Sequence, residues 1–160
     1  MNDMDWNLWG AFSPYLVAMG IAYLGGQLIK TLISFAKTRQ FNWREFFKSG
    51  HMPSTHVASM VSLSTVVGFL QGWSSAVFAI SAASTLVIAY DATHVRRAVG
   101  EQGLVLRKIV DQYNTEANDD GRSSHLAKPY FSFGHLPIEA IAGGFLGLII
   151  GVIVSLITRG

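Results

Sequence analysis

The sequence contains no cysteine, which excludes disulfides and thiolate chemistry and leaves no redox compartment to be read from it. Charge is also scarce. Charged side chains make up 14% of the 160 residues, against about 25% in soluble domains, so a polar coat for the whole chain is hard to assemble. The first ten residues hold Asp3 and Asp5 but no lysine or arginine. Without a basic n-region, a cleaved signal peptide is not expected. The net charge is only +2, so no nucleic-acid partner is expected, and where the charges fall says more than their sum. No internal repeat is visible, and one domain over residues 1–160 is the natural reading at this length.

Apolar residues are abundant instead, at 50% of the chain, with a mean hydropathy of +0.34. A membrane helix needs roughly 17–25 mainly apolar residues. Four stretches supply them or nearly so: about 14–36, interrupted by Gln27 and Lys30, then 55–70, 74–90 and 136–158. The middle two are short and rich in Ser, Thr, Ala and Gly. With Gly25-Gly26 and the run Gly143 to Gly147, they predict close helix–helix contact in lipid. A buried helical pair in a soluble protein would leave too little polar surface to cover four such stretches. The expected fold is all-α, a polytopic membrane bundle of about four transmembrane helices plus an amphipathic cytoplasmic helix. That last element is predicted by Val95, Val99, Leu106, Ile109, Val110 and Tyr113, which recur near helical spacing among Arg and Lys. Such a helix lies at the interface or over the mouth of a bundle. Residues 114–128 are polar and turn-rich and predict a mobile loop.

Lysine and arginine follow the first stretch (Lys37, Arg39, Arg44, Lys48) and the third (Arg96, Arg97, Arg107, Lys108, Arg122, Lys128), whereas the turn at 71–75 is uncharged. Basic excess marks the cytoplasmic side. Both basic segments are therefore expected in the cytoplasm and both termini outside.

The polar residues fall at the ends of the spans that this topology puts on one face. Lys30 and Arg39 close the first, His56 opens the second, Asp91, Arg96 and Arg97 close the third, and His135 and Glu139 open the fourth. Ionisable groups at such depth are costly and usually functional. In Met52-Pro53-Ser54-Thr55-His56, proline suits a first helical turn. The free N–H groups around Ser54, Thr55 and His56 then make an anion site, where His56 can donate a proton. In Gly134-His135-Leu136-Pro137-Ile138-Glu139, a carboxylate one turn past a histidine can fix its tautomer and leave the other ring nitrogen nucleophilic. Taken singly, each motif also has the plainer reading of a capped helix with an interfacial histidine. Guanidinium groups such as Arg96 and Arg97 bind phosphoryl oxygens in fork geometry, and adjacent residues point about 100° apart on a helix, so one of the two is expected at a site. Anchoring of the topology accounts for the pair equally well. Asp91 and Glu101 are an alternative pair for a divalent metal beside a substrate phosphate.

In this order the motifs resemble the type 2 phosphatidic acid phosphatase superfamily, which includes vanadium-dependent haloperoxidases and bacterial acid phosphatases. The closer resemblance is to its small divergent branch, the acid phosphatase/vanadium-dependent haloperoxidase-related membrane proteins, and it runs from about Pro14 to Thr158. Lys30 and Arg39 match the first motif, Pro53-Ser54-Thr55-His56 the second, and Arg96 or Arg97 with His135 and Glu139 the third. The run from Asp91 to Gln102 is similar to the divergent branch in particular. Several positions depart from the superfamily pattern. Lys30 and Arg39 stand wider apart, which leaves Lys37 as an alternative base. Thr55 replaces a glycine and Glu139 an aspartate, a long insertion precedes His135, and two further spans of the membrane phosphatases are missing.

The resemblance implies a membrane lipid-phosphate phosphatase working through a phosphohistidine. His135 would be the nucleophile, Glu139 its orienting carboxylate, and His56 the acid and then the base. Lys30, Arg39, Ser54, Thr55 and Arg96 or Arg97 would hold the phosphate, with no metal or organic cofactor. A cytoplasmic mouth on a bacterial plasma membrane suits phosphatidylglycerophosphate or phosphatidate better than a periplasmic isoprenyl diphosphate. Gly and Ala surfaces allow a homodimer. The rival readings are a non-catalytic membrane protein that binds anionic lipid or a partner, and metal-dependent phosphoryl transfer through Asp91 and Glu101. A CDP-alcohol phosphotransferase lacks the further aspartates it needs between Leu104 and Val110, and a transporter lacks a deep charge in the last three spans beyond Glu139.

Overall fold

A computed structural model describes residues 12–39, 52–119, 126–127, 134 and 136–159. Every regular element among them is helical. Helix α1 is Pro14–Thr38, α2 is Thr55–Gln71, α3 is Ala76–Tyr90, α4 is Arg96–Asp119 and α5 is Pro137–Arg159. A π-helical turn, Asp91–Val95, joins α3 to α4 without a break. The protein is an all-α membrane helical bundle. Helices α1 and α5, and the continuous run Ala76–Ala117, are long and apolar enough to cross a bilayer. At 17 residues, α2 extends only about 25 Å, short of the ~30 Å hydrocarbon core. The expected boundaries lie within two residues of those observed. The polar tract does not: α4 continues through Asp119, so residues 114–119 are helical rather than loop.

Local chemistry explains the ends. Pro14 occupies the first turn of α1, where a missing N–H costs nothing. Arg39 closes that helix in the left-handed region at φ 53°, its N–H bonded to the Phe35 carbonyl at 2.8 Å. Ser75 caps α3 by accepting the Phe78 N–H at 3.1 Å. At the tight turn before it, Gly72 takes φ 92°, a conformation that side chains disfavour. Trp73 folds back over Gly68 and meets Phe69 and Phe78 edge-on, with ring centroids 5.4 and 5.0 Å away. Arg159 reaches the Phe69 carbonyl and lies over its ring. An aromatic cluster with a terminal arginine is the composition of a membrane interface.

The short helix α2 is the centre of the bundle and packs against α1, α3 and α5. Its sequence explains why. Ser and Thr are small, and their hydroxyls can bond back to a carbonyl one turn earlier. Ser59 does so to Thr55 at 2.9 Å, and Thr65 to Val61 at 2.8 Å. These two hydroxyls are thus satisfied without water, and the backbone can be approached closely. Ser64 also meets Thr85 of α3 at 2.8 Å. The facing glycines of α5 recur every fourth residue. A side chain on Gly143 would strike the Ser54 carbonyl, one on Gly147 the Ala58 carbonyl, and one on Gly151 Thr65 and the Ser62 carbonyl. Leu16, Leu28, Ile80, Leu86, Phe145 and Leu156 face outward, as in a bundle solvated by lipid.

Gly147→Ala is therefore expected to cost about 1–3 kcal/mol through overpacking. Gly144→Ala, which enters open space, should stay within about 0.5 kcal/mol of the parent, as surface changes do. Thermal unfolding in detergent micelles compares the two.

Candidate functional site

Three chain ends meet at one end of the bundle: the start of α2, the start of α5 and the π turn. Val57, Ala92 and Ala140, one from each, form a small buried cluster with Val61 and Ala89 beside it. Directly above, the Ser54 N–H donates to the Glu139 carbonyl at 2.9 Å, so the two helix starts are bonded backbone to backbone. This corrects two expectations. Pro53 precedes the N-cap Ser54 instead of entering the helix, and the Ser54 N–H is already used. The N–H groups left to point outward are those of the first turn proper, which no helix bonds internally.

Ser54 and Thr55 are almost fully enclosed. Ser54 makes no side-chain cap, and its Oγ is buried without a hydrogen-bond partner. Thr55 presses its methyl group onto Gly26 of α1, where a Cβ would come within 2.7 Å of it. That contact brings in a polar stripe of α1 spaced by four and three residues: Tyr23, Gln27 and Lys30. Gln27 donates to the Tyr23 hydroxyl at 3.2 Å, while its own Oε1 is buried without a partner. His56, exposed at the mouth, meets Tyr23 edge-on with ring centroids 6.3 Å apart.

Lys30 is the unusual member. It is 7% exposed on a helix long enough to span lipid, and the carboxylate of Glu139 is close enough for its charge to act on it. Glu139 Oε2 in turn accepts the Leu136 N–H at 3.0 Å, which satisfies an orphan donor at the start of α5. Lys30, Ser54, Thr55, His56 and Glu139 are thus brought together. Tyr23 and Gln27 join them; Gln27 is visible in the sequence only as an interruption of the first span, and Tyr23 looks like any interfacial aromatic.

The remaining sequence candidates are placed otherwise. Arg39 and Lys37 are exposed, and Arg39 lies nine residues past Lys30, about 13 Å further along α1. Arg96 Nε donates to Asp91 Oδ2 at 2.8 Å, and Arg97 Nε to Glu101 Oε1 at 3.2 Å. The first pair spans five residues because the π turn brings positions i and i+5 into line. Asp91 and Glu101 are ten residues apart on one continuous helix, roughly 15 Å, too far to share one metal ion, and each is engaged by an arginine. The described residues hold no group of three or more His, Asp or Glu of the kind that binds a metal. His135 lies outside the described residues, as does His51. The neighbours of His135 are described: Gly134 packs directly on the backbone of Arg96 and Arg97, and Leu136 binds Glu139.

A largely apolar cleft of about 540 Å³ opens elsewhere, lined by Tyr15, Met60, Leu63, Val67, Ile80 and Ser84. It faces lipid toward the Tyr15–Gln71 end of the bundle and carries none of the polar groups above.

A family model described as the divergent PAP2 family matches residues 12–150. The uncharacterized membrane protein YuiD of Bacillus subtilis (strain 168) is 35% identical over 140 residues, covering 84% of this chain and 89% of that one. No solved structure matches the chain.

Proposed function

Because the chain belongs to the divergent PAP2 family, we propose that it is a lipid-phosphate phosphatase acting through a phosphohistidine at the end of the bundle where α2 and α5 begin. The observation that carries this reading is a buried lysine of α1 grouped with the glutamate, histidine and enclosed serine–threonine pair at the adjoining starts of α2 and α5. Burying an ammonium in a membrane segment is costly, and helix N-termini attract anions. Together these groups suit a phosphate monoester at the lipid surface.

In the proposed reaction, a nitrogen of His135 attacks phosphorus and the bond to the lipid oxygen breaks. His56 gives its proton to the departing alkoxide, so a neutral alcohol leaves. His56, now neutral, then takes a proton from water as that water attacks the phosphohistidine. Inorganic phosphate and free His135 are regenerated. Lys30 and the first-turn N–H groups of α2 would offset charge on the equatorial oxygens. Glu139, fastened by Leu136, would favour the positive charge that builds on His135. Arg96 and Arg97 are each held to a carboxylate through Nε, and either could contribute through the remaining N–H groups of its guanidinium. A diacylglycerol-type phosphate such as phosphatidylglycerophosphate or phosphatidate, drawn from the cytoplasmic leaflet, is the proposed substrate class.

The pairing of both arginines with carboxylates also favours a second reading, a non-catalytic protein that binds anionic lipid at the same face. Phosphate release by the purified protein from a panel of lipid phosphates, with and without orthovanadate and chelator, separates the two. The proposal expects release that vanadate inhibits and chelator spares. No release from any member, with anionic lipid still bound, supports the second reading.

A further inference from the structure

Helices α1 and α3 both pack on α2 but make no extensive contact with each other. The largely apolar cleft of about 540 Å³ is lined by all three. From α2 it takes Met60, Leu63, Val67 and Gln71, and from α3 Val77, Ile80, Ser81 and Ser84. Tyr15 of α1 lines its far end and accepts a hydrogen bond from Gln71 Nε2 at 2.6 Å. Ser81 and Ser84 bond back to the Phe78 and Ile80 carbonyls, each at 2.9 Å. Each polar side chain of the cleft thus has a partner inside the protein, and what remains for an occupant is contact with hydrocarbon.

The α2 side of the cleft leads back to the polar end of the bundle. His56, Met60, Leu63, Val67 and Gln71 recur in steps of four, three, four and four residues, which places them on one face of the helix. In the proposed reaction His56 gives its proton to the oxygen of the departing alcohol, so the body of the lipid leaves the phosphate on the His56 side. The next residue along that face is Met60, about 6 Å further, a gap for the glycerol to span. From Met60 to Gln71 the helix rises about 16 Å. That is the depth of one leaflet, half of the ~30 Å hydrocarbon core.

We propose that this cleft holds one acyl chain of the lipid whose phosphate lies at the start of α2. The proposal rests on the reading of that end as a phosphate site, though not on turnover there. It makes the ligand a lipid phosphate with a chain of full leaflet length, and it sets such a lipid apart from water-soluble phosphate esters. Three features select an acyl chain as occupant: an apolar lining with no polar group to spare, a length of one leaflet, and continuity with His56. A second copy of this chain seated on α3 would cover the cleft and keep free lipid out.

The full chain is reconstituted in phosphatidylcholine vesicles that contain a trace of phosphatidate with a photoactivatable diazirine midway along one chain. The same labelled chain on phosphatidylcholine is the comparison. After irradiation, peptide mass spectrometry should find phosphatidate adducts on residues 60–67 and 77–84, at least fivefold above those on the outward-facing Phe145 and Leu156 of α5. Labelled phosphatidylcholine should mark these surfaces alike. Ser84→Phe, with Ile80→Trp as a second obstruction, should lower cleft labelling by phosphatidate at least fivefold. Ile80 is exposed and Ser84 half-buried, so both changes fill the cleft and not the core. If the protein releases phosphate, each should also lower the ratio of long-chain to dihexanoyl phosphatidate turnover at least tenfold. Phosphatidate adducts spread evenly over the outer surface overturn the proposal. So do a cleft without adducts, as a covering second copy would leave it, and labelling that both obstructions leave unchanged. Cleft labelling with no phosphate release from any lipid would uphold the acyl site and remove the phosphatase; release with no cleft labelling would do the reverse.

Discussion

Replacing Lys30 with methionine is expected to lower phosphate release at least 100-fold while leaving the melting temperature of the bundle unchanged or raised. The two halves have separate causes. Lys30 is almost wholly enclosed, and an ammonium held in a membrane helix costs about 2.5–3.5 kcal/mol on insertion scales. Methionine has similar length and no charge, so that penalty disappears. Glu139 loses a favourable charge but keeps the Leu136 N–H, and it is not fully buried, which limits the loss on that side. Catalysis has no such substitute. Removing one group that stabilises charge in a transition state typically costs 10²–10³ in rate. Lys30→Arg should restore part of the activity only if the enclosed space admits a guanidinium. A K30M protein that is as active as the parent would remove the ammonium from the reaction altogether. One that unfolds would make Lys30 a structural residue.

The histidines should separate by leaving group. His135→Ala removes the proposed nucleophile and should reduce turnover to background on every substrate. His56→Ala removes only the proton donor and acceptor, whose contribution is about 10²–10⁴-fold. With p-nitrophenyl phosphate, whose leaving group departs without a proton, the first step should survive in H56A while the second slows. Acid-labile phosphate should then accumulate on the protein, and quenching with labelled substrate detects it. Neither variant should disturb the fold, because His56 is exposed at the mouth and the start of α5 is bonded to α2 through Glu139 and Ser54. Labelled protein in H135A, or its absence in H56A on this substrate, would rule out the assignment of the two roles.

The helices were legible because lipid leaves the chain little choice. Backbone groups must be bonded within the segment, so length and apolarity mark the spans, and Pro14 and Gly72 punctuate them. Glycine spacing in α5 foretold close packing, though it is α2 of the same chain that fills that face. The grouping of Lys30 with His56 and Glu139 was legible for a related reason, since charge near lipid is rare enough to stand out. What the sequence hides is register on a scale of one residue. Nothing in Asp91-Ala92-Thr93-His94-Val95 marks a π turn, yet that turn decides that Arg96 lies against Asp91. Pro53 looks like a first-turn proline because statistics favour that position, but the N-cap is Ser54, whose N–H is bonded across to Glu139. Asn114 to Asp119 reads as a loop by composition. In the structure Asn114 is helical and bonds both backbone groups of Leu126, at 2.8 and 2.9 Å, a long-range contact that no local rule anticipates.

The shortness of α2 has a consequence for the membrane itself. Gly26 is level with the start of α2, and α1 continues twelve residues further, to Thr38, which is about 18 Å. On the α1 side, the start of α2 is therefore a notch sunk about three turns below the end of α1. Lipid cannot seal against such a notch without leaving polar groups dry, so the bilayer must thin there or admit water. A headgroup entering it would descend from the surface to meet the protein, rather than the protein rising to meet the headgroup.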